Sequence, residues 1–260
     1  LWGAYLPEGI AAFRQHGRTL LLTANEGDTR DDAAEVGDIQ LDRSVFPDAS
    51  ALQAPAALGG LEVSTLPQDA QPNAKGEYRR LVAFGARSIG VWSTSAQRVY
   101  DSGNRLERIT AAAALYPPGT NYFNTTDDAN SFDDRSPRRG PQPEGVAVGN
   151  VGGRTYAFVG LRKQSGIVFG DITDAQSGVP LGYTSTRDFK QDPSSGGTLD
   201  THAEVNCALD RSLSPPGRSD LGPEGLLFIP AHLSPNGRPW LVVNYDTSGS
   251  TRIFQIASSR

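Results

Sequence analysis

The densest group of hard oxygen donors in the chain is Asn25-Glu26-Gly27-Asp28-Thr29-Arg30, followed at once by Asp31 and Asp32. Oxygens from Asn25, Glu26 and Asp28 around a glycine turn suit a hard cation such as calcium, although the spaced aspartates of an EF-hand loop are absent. The competing reading is a solvated acidic turn in which Arg30 satisfies the carboxylates. A second set comes from a tripeptide that occurs three times, Pro7-Glu8-Gly9, Pro143-Glu144-Gly145 and Pro223-Glu224-Gly225, each leading into an apolar run. Proline fixes φ and glycine permits a bend, so the tripeptide is a good entry into a strand whatever its glutamate does. If the three strands line one channel, Glu8, Glu144 and Glu224 converge at its mouth, where they clasp arginines or hold a cation. The acidic run 127–134 is a further oxygen-rich segment, and such runs are usually solvated loops.

Phosphoryl chemistry has one physical support. Arg87 and Arg162 stand in matching Gly-x-Arg positions, and with Arg30 they supply guanidinium groups able to clamp an anion; salt bridges to neighbouring elements are the plainer alternative. Other apparent motifs fail on context. The segment 85–90, GARSIG, is not a nucleophile elbow, and a strand follows it, so Ser88 makes a poor nucleophile. The glycines of GVAVGNVGG (145–153) lack dinucleotide spacing. His16, His202 and His232 are far apart in sequence, and Asn124-Thr125-Thr126 is a glycosylation acceptor only in a host that glycosylates.

The elements that must position these residues are read from a repeat. Residues 7–26, PEGIAAFRQHGRTLLLTANE, align without gaps with 143–162, PEGVAVGNVGGRTYAFVGLR, sharing Pro-Glu-Gly, an alanine and Gly-Arg-Thr. Two β-runs around a glycine-bearing turn make a hairpin. The third copy, from Pro223, keeps the plan with four extra residues in its turn, and a further strand recurs as GIVFGDIT (166–173) and STRIFQIA (250–257). The stretch 79–93, RRLVAFGARSIGVWS, lacks the tripeptide but repeats the β-run, Gly-x-Arg, β-run order, which gives a fourth related unit. The expected fold is all-β: a single domain over 1–260 forming about four units of a β-propeller, with insertions at 27–78, 101–142 and 192–222. An immunoglobulin-like sandwich is the alternative, but it does not predict self-similar units. A short helix is expected over 105–116, stopped by Pro117 and Pro118. Four units are too few to close most propellers, so the expected partner is the remainder of the ring or another envelope protein.

Composition agrees with short strands and many turns: 37% hydrophobic residues, 29 glycines and 18 prolines in 260 residues. A formal charge of −5 argues against a nucleic-acid or anionic-membrane partner, and only three of 24 basic residues are lysines (Lys75, Lys163, Lys190). The single cysteine, Cys207, excludes an internal disulfide. No stretch has the length of a transmembrane helix. Methionine is absent and the chain opens LWGAYLPEG, which leads us to expect a processed or partial chain.

TANEGDTR (23–30), FGARSIGVW (84–92), VYDSG (99–103), GPQPEGVAVG (140–149), RTYAFVGL (154–161), DLGPEGLLFI (220–229) and LVVNYDTSGST (241–251) together resemble the C-terminal half of the choice-of-anchor I family. The resemblance implies an extracytoplasmic propeller-like domain, as in bacterial proteins held to the envelope by varied anchors and in some secreted ones. Its members carry discordant names, alkaline phosphatase for some and mesenchyme-specific cell surface glycoprotein for animal ones. The chain departs from the family at Tyr245-Asp246, where relatives tend to read Asn-Glu, and in the insert at 194–219. Two functions are therefore expected to compete. One is a secreted, periplasmic or envelope-attached module for binding or envelope organisation, with calcium as the cofactor. The other is a metal-dependent phosphomonoesterase with Glu26 and Asp28 as ligands and Arg30, Arg87 or Arg162 on the phosphate.

Overall fold

The computed structural model describes residues 1–114, 122–177, 179, 181–190 and 219–257. Each Pro-Glu-Gly opens a long strand: β2 (Pro7–Gln15), β9 (Pro143–Val151) and β13 (Pro223–Ile229). The next strand of each unit returns antiparallel, as β3 (Arg18–Asn25), β10 (Arg154–Leu161) and β14 (Trp240–Tyr245). His16-Gly17 and Gly152-Gly153 join the first two pairs, all four at positive φ, the two-residue hairpin turn that matches strand twist.

The sheets are completed by β7 (Ser88–Ser93) and β8 (Arg98–Asp101) beside β3, by β11 (Gly166–Asp171) and β12 (Leu181–Ser185) beside β10, and by β15 (Ser250–Gln255) beside β14. Two of these sheets have four strands and the last has three among the described residues.

The stretch 79–93 is not a repeat unit of its own, and here the structure corrects the sequence. Its first run, β6 (Val82–Phe84), lies in a separate sheet with β1 (Trp2–Ala4), β5 (Glu62–Ser64) and β4 (Ala33–Glu35), β1 running parallel to β6. Its second run is β7, which pairs with β3 and completes the first unit. A Gly-x-Arg between two β-runs looks the same in sequence whether it turns a hairpin or crosses between sheets. The segment 27–78, expected as a loop insertion with an outer strand over 61–65, supplies that strand as β5 together with β4 and two one-turn helices, α1 (Ala49–Leu52) and α2 (Pro67–Ala70), around a small core of Val36, Leu41, Val63 and Leu81.

Period-two patterning packs the repeat sheets. On β10, Ala157, Val159 and Leu161 face the first repeat sheet and join Leu20, Leu22, Ile89 and Val91, whereas Phe158 faces the last sheet and meets Leu241 and Val243. Helix α3 (Arg105–Ala114) lies within the stretch expected to be helical and carries Leu106 into the first of these cores. Pro117, Pro118, His202, Cys207 and most of the 192–222 insertion lie outside the described residues.

Candidate functional site

Each tripeptide makes a β-bulge. Pro7 pairs with Asn25 and Gly9 with Ala24, so Glu8 is the extra residue; Pro223 and Gly225 flank Glu224 in the same way against Tyr245 and Asn244. In the middle copy Glu144 and Gly145 together oppose Gly160. A bulge re-aims a side chain that strict alternation would bury in the sheet or turn to a face, and the missing proline N–H costs nothing at a strand start.

The glycines stack the copies. A Cβ on Gly9 would lie 2.2 Å from the Glu144 carbonyl oxygen, and one on Gly145 would lie 1.7 Å from that of Glu224. Each glycine therefore seats the glutamate backbone of the following unit, which aligns the three strand openings side by side.

This brings together a set that cuts across the two predicted ones. One carboxylate oxygen each from Glu8, Glu26 and Glu144 lie within 4.8 Å of one another. Glu26 follows directly on β3, one residue past the Pro7–Asn25 pair, and Glu144 comes from the neighbouring sheet. Glu26 and Glu144 are buried and Glu8 is exposed. Burial and the carboxylates of Glu144, Glu8 and Asp28 push Glu26 up to about 7, with Arg139 opposing. Burial pushes Glu144 up as well, opposed by Arg162.

Arg162, just past β10, serves the other flank. Its Nη1 donates to Glu144 Oε1 at 3.2 Å and its Nη2 to Asp246 Oδ2 at 2.8 Å, with Glu224 and Asp127 each at 3.9 Å. Glu224 thus joins Glu144 through Arg162. Gln142 is the residue that sequence reading missed. It is fully buried, and its Nε2 donates to Glu26 Oε1 at 2.6 Å and reaches Glu144 Oε1 at 3.4 Å. Its Oε1 and Glu144 Oε2 are buried acceptors with no hydrogen-bond partner among the described residues. The backbone of Gln142 is held at positive φ by bonds to Arg139 and Arg162. Its only sequence signal was adjacency to the second tripeptide.

The remaining predicted residues lie apart. Asn25 is buried inside its sheet, accepting from Thr23 and donating to Ser88 Oγ at 3.0 Å. Asp28 pairs with Arg139 beside the cluster, and Arg30 is exposed. Arg87 binds Glu107 at 3.1 Å, near α3. From the acidic run, Asp127 is buried: burial alone would push it up, but Lys163 at 2.7 Å and a hydrogen bond from Thr247 hold it below the ordinary carboxylate range. Asn124 is buried too, its amide donating to Glu107 and Ser136.

Chemically, the cluster is an all-oxygen site with two buried carboxylates, one exposed carboxylate and a carboxamide at its wall. The choice-of-anchor I domain model matches residues 1–175, which include Glu8, Glu26, Gln142 and Glu144. The chain belongs to the choice-of-anchor I domain family. A cell-surface or extracellular role goes with that family. Gigasin-3a of Magallana gigas is 28% identical to this choice-of-anchor I chain over 213 residues, covering 79% of the chain and 66% of the relative, so the chain spans a little under two thirds of that relative's length. Among the described residues no helix is long and apolar enough to cross a membrane.

Proposed function

We propose that this choice-of-anchor I chain is an arc of a β-propeller that works outside the cytoplasm as a binding module and not as an enzyme. The observation that supports this reading is the relay of contacts between successive tripeptides, Gly9 under the Glu144 carbonyl and Gly145 under the Glu224 carbonyl. The same contact repeated at the same register is what rotation of blades about an axis generates, and in such an arc the glutamates would face that axis. The relay stops at Gly225, whose nearest neighbour is Asn244 of its own sheet at 3.4 Å. On that last sheet Leu227, Val242 and Ile253 stand in register across three strands, with Leu227 59% and Ile253 45% exposed. In the earlier units the corresponding Ala11 and Ala147 face a following sheet. The open face is the seat of a further blade, from the remainder of a longer ring or from another envelope protein.

A metal-dependent phosphomonoesterase needs a metal-activated water or a nucleophile beside a free guanidinium clamp. Arg87 is held by Glu107, and Arg162 by Glu144 and Asp246, which favours binding over turnover. The test is hydrolysis of a chromogenic phosphomonoester with calcium, magnesium or zinc added. No turnover above buffer is expected; turnover that disappears in Glu26→Gln would overturn the proposal.

A further inference from the structure

We infer that Glu8, Glu26 and Glu144 form a divalent-cation site of the calcium class, completed by the side-chain oxygen of Gln142. The inference rests on the tripeptides opening onto one axial site and names what that site binds.

Three carboxylates converge within 4.8 Å, two of them buried. Buried charge in a protein is compensated by a partner ion, a proton or a metal. Among the described residues Arg162 reaches Glu144 through Oε1, and the buried Oε2 has no hydrogen-bond donor. The second observation is independent of the acidic residues. The Gln142 amide lies against Glu26 and Glu144 with a relative exposure of 0%, and its Oε1 lacks a partner while its Nε2 donates to the carboxylates. That orientation suits the site without an ion. A half-turn of the terminal torsion exchanges oxygen and nitrogen and directs the carbonyl oxygen inward as a ligand, with the amide nitrogen moving to the position now held by Oε1.

The donor set selects the ion. Carboxylates and a carboxamide are hard oxygen ligands, which calcium accepts six to eight at a time in flexible geometry, with water filling open positions. Magnesium demands near-ideal octahedral geometry and gives up water reluctantly, and zinc prefers nitrogen and sulfur. Exposed Glu8 forms the solvent-facing wall through which the ion enters. Because Glu8 and Glu26 belong to one sheet and Glu144 to the next, the bound ion ties two sheets at the axis.

The experiment is calorimetric titration of the chelator-treated chain with calcium, magnesium and zinc chlorides, with melting temperatures taken in parallel. One calcium per chain is expected, bound at least tenfold more tightly than magnesium, with a rise in melting temperature. Dissociation constants of extracellular calcium modules, on the order of 0.1–1 mM, set the titration range. Glu26→Gln and Glu8→Gln should each weaken calcium binding by roughly tenfold or more, and Gln142→Met by a similar factor, as expected for loss of a ligand. Glu8 is exposed, so its variant reports on binding even where changes at the buried residues disturb folding. Asp171→Asn, whose carboxylate pairs with Arg154 at the far end of β11, should leave calcium affinity within about twofold. Absence of binding by the wild-type chain, or binding unchanged by Glu8→Gln and Glu26→Gln, overturns the assignment. Neither result touches the binding-module proposal, which phosphoester turnover would overturn and which an empty titration leaves standing.

Discussion

Replacing Gly145 by alanine adds one methyl group at the point where two sheets touch through their backbones. The new Cβ would lie 1.7 Å from the Glu224 carbonyl oxygen, 2.8 Å from its carbon and 2.9 Å from Leu226 Cδ1. Leu226 has rotamers with which to retreat, but the carbonyl is fixed by the bulge between Pro223 and Gly225. The sheets must therefore part locally by about 1.5 Å to restore contact distance, in an interior packed as densely as a crystal. A gap of that size removes much of the dispersion between Leu226 and Phe228 on one side and Ala147 and Phe158 on the other. Overpacking costs about 1–3 kcal/mol, and because both partners here are backbone we expect the upper end, about 3 kcal/mol. For a chain of this size that is a fall in melting temperature of roughly 6–12 °C.

Gly225→Ala is the internal control. It places the same substitution in the same tripeptide and the same bulge, yet its Cβ meets only Asn244, at an ordinary 3.4 Å. Its cost should stay within about 0.5 kcal/mol. Gly9→Ala should fall between them or match Gly145→Ala, since its Cβ would lie 2.2 Å from the Glu144 carbonyl. Urea denaturation and thermal melting read all three, with an unchanged urea slope confirming that the folded state has kept its compactness. If Gly225→Ala proves as damaging as Gly145→Ala, the glycine serves the bulge and not the seating of the next sheet, and the relay argument for a propeller arc fails with it.

Two further predictions concern the charges of the glutamate cluster. Without divalent cation, folded Glu26 titrates at about 7 against an ordinary 4.5, so the folded state holds the proton more tightly than the unfolded one. The stability this adds is complete below pH 4.5 and is lost as pH rises through about 7; its ceiling is about 3 kcal/mol, and it is measured as the difference between wild type and Glu26→Gln in urea midpoints at pH 5 and pH 8 with chelator present. Arg162→Met removes the guanidinium shared by Glu144, Asp246, Glu224 and Asp127, and should cost about 2–3 kcal/mol, less than a fully buried pair because the arginine side chain is 26% exposed. Arg162→Lys should recover less than half of that loss in the same denaturation assay, since an ammonium cannot bridge Glu144 and Asp246 as a planar fork does.

How far the sequence carried the fold depended on how local each determinant is. Hairpins declare themselves within some twenty residues, through alternation and the turn glycines at 17 and 153, so β2–β3 and β9–β10 are read correctly as hairpins. Sheet membership is not local. The run Val82–Phe84 has the composition of a repeat strand and stands next to Ser88–Ser93, yet its hydrogen bonds go to Trp2–Ala4 and Glu62–Ser64. Only the unit that begins at Pro7 determines which strand takes the place beside β3, and it recruits β7 from across a long insertion.

The cluster follows the same logic. That the tripeptides recur was evident, and with it the expectation that Glu8, Glu144 and Glu224 share a site; Glu224 stands outside the cluster and reaches Glu144 through Arg162. That Glu26 joins Glu8 and Glu144 is a matter of tertiary packing: it is the first residue past the Pro7–Asn25 pair, and its carboxylate lies within 4.8 Å of theirs. Asn25 itself precedes Glu26 by one residue, and alternation turns it back into the sheet toward Ser88. Gln142 could have been marked from sequence as the polar residue fixed immediately before a strand-opening proline, where the backbone has little freedom. Lys163 was likewise visible as one of only three lysines in an arginine-rich chain. A compact ammonium suits a buried lone carboxylate, and Asp127 is the one it meets. Residue types that depart from the chain's own habits, a lysine among arginines or an amide between prolines, therefore indicate packed polar sites more reliably than acidic density does. Of the acidic run 127–134, Asp127 alone among its four aspartates is buried against a cation, while Asp128, Asp133 and Asp134 face solvent.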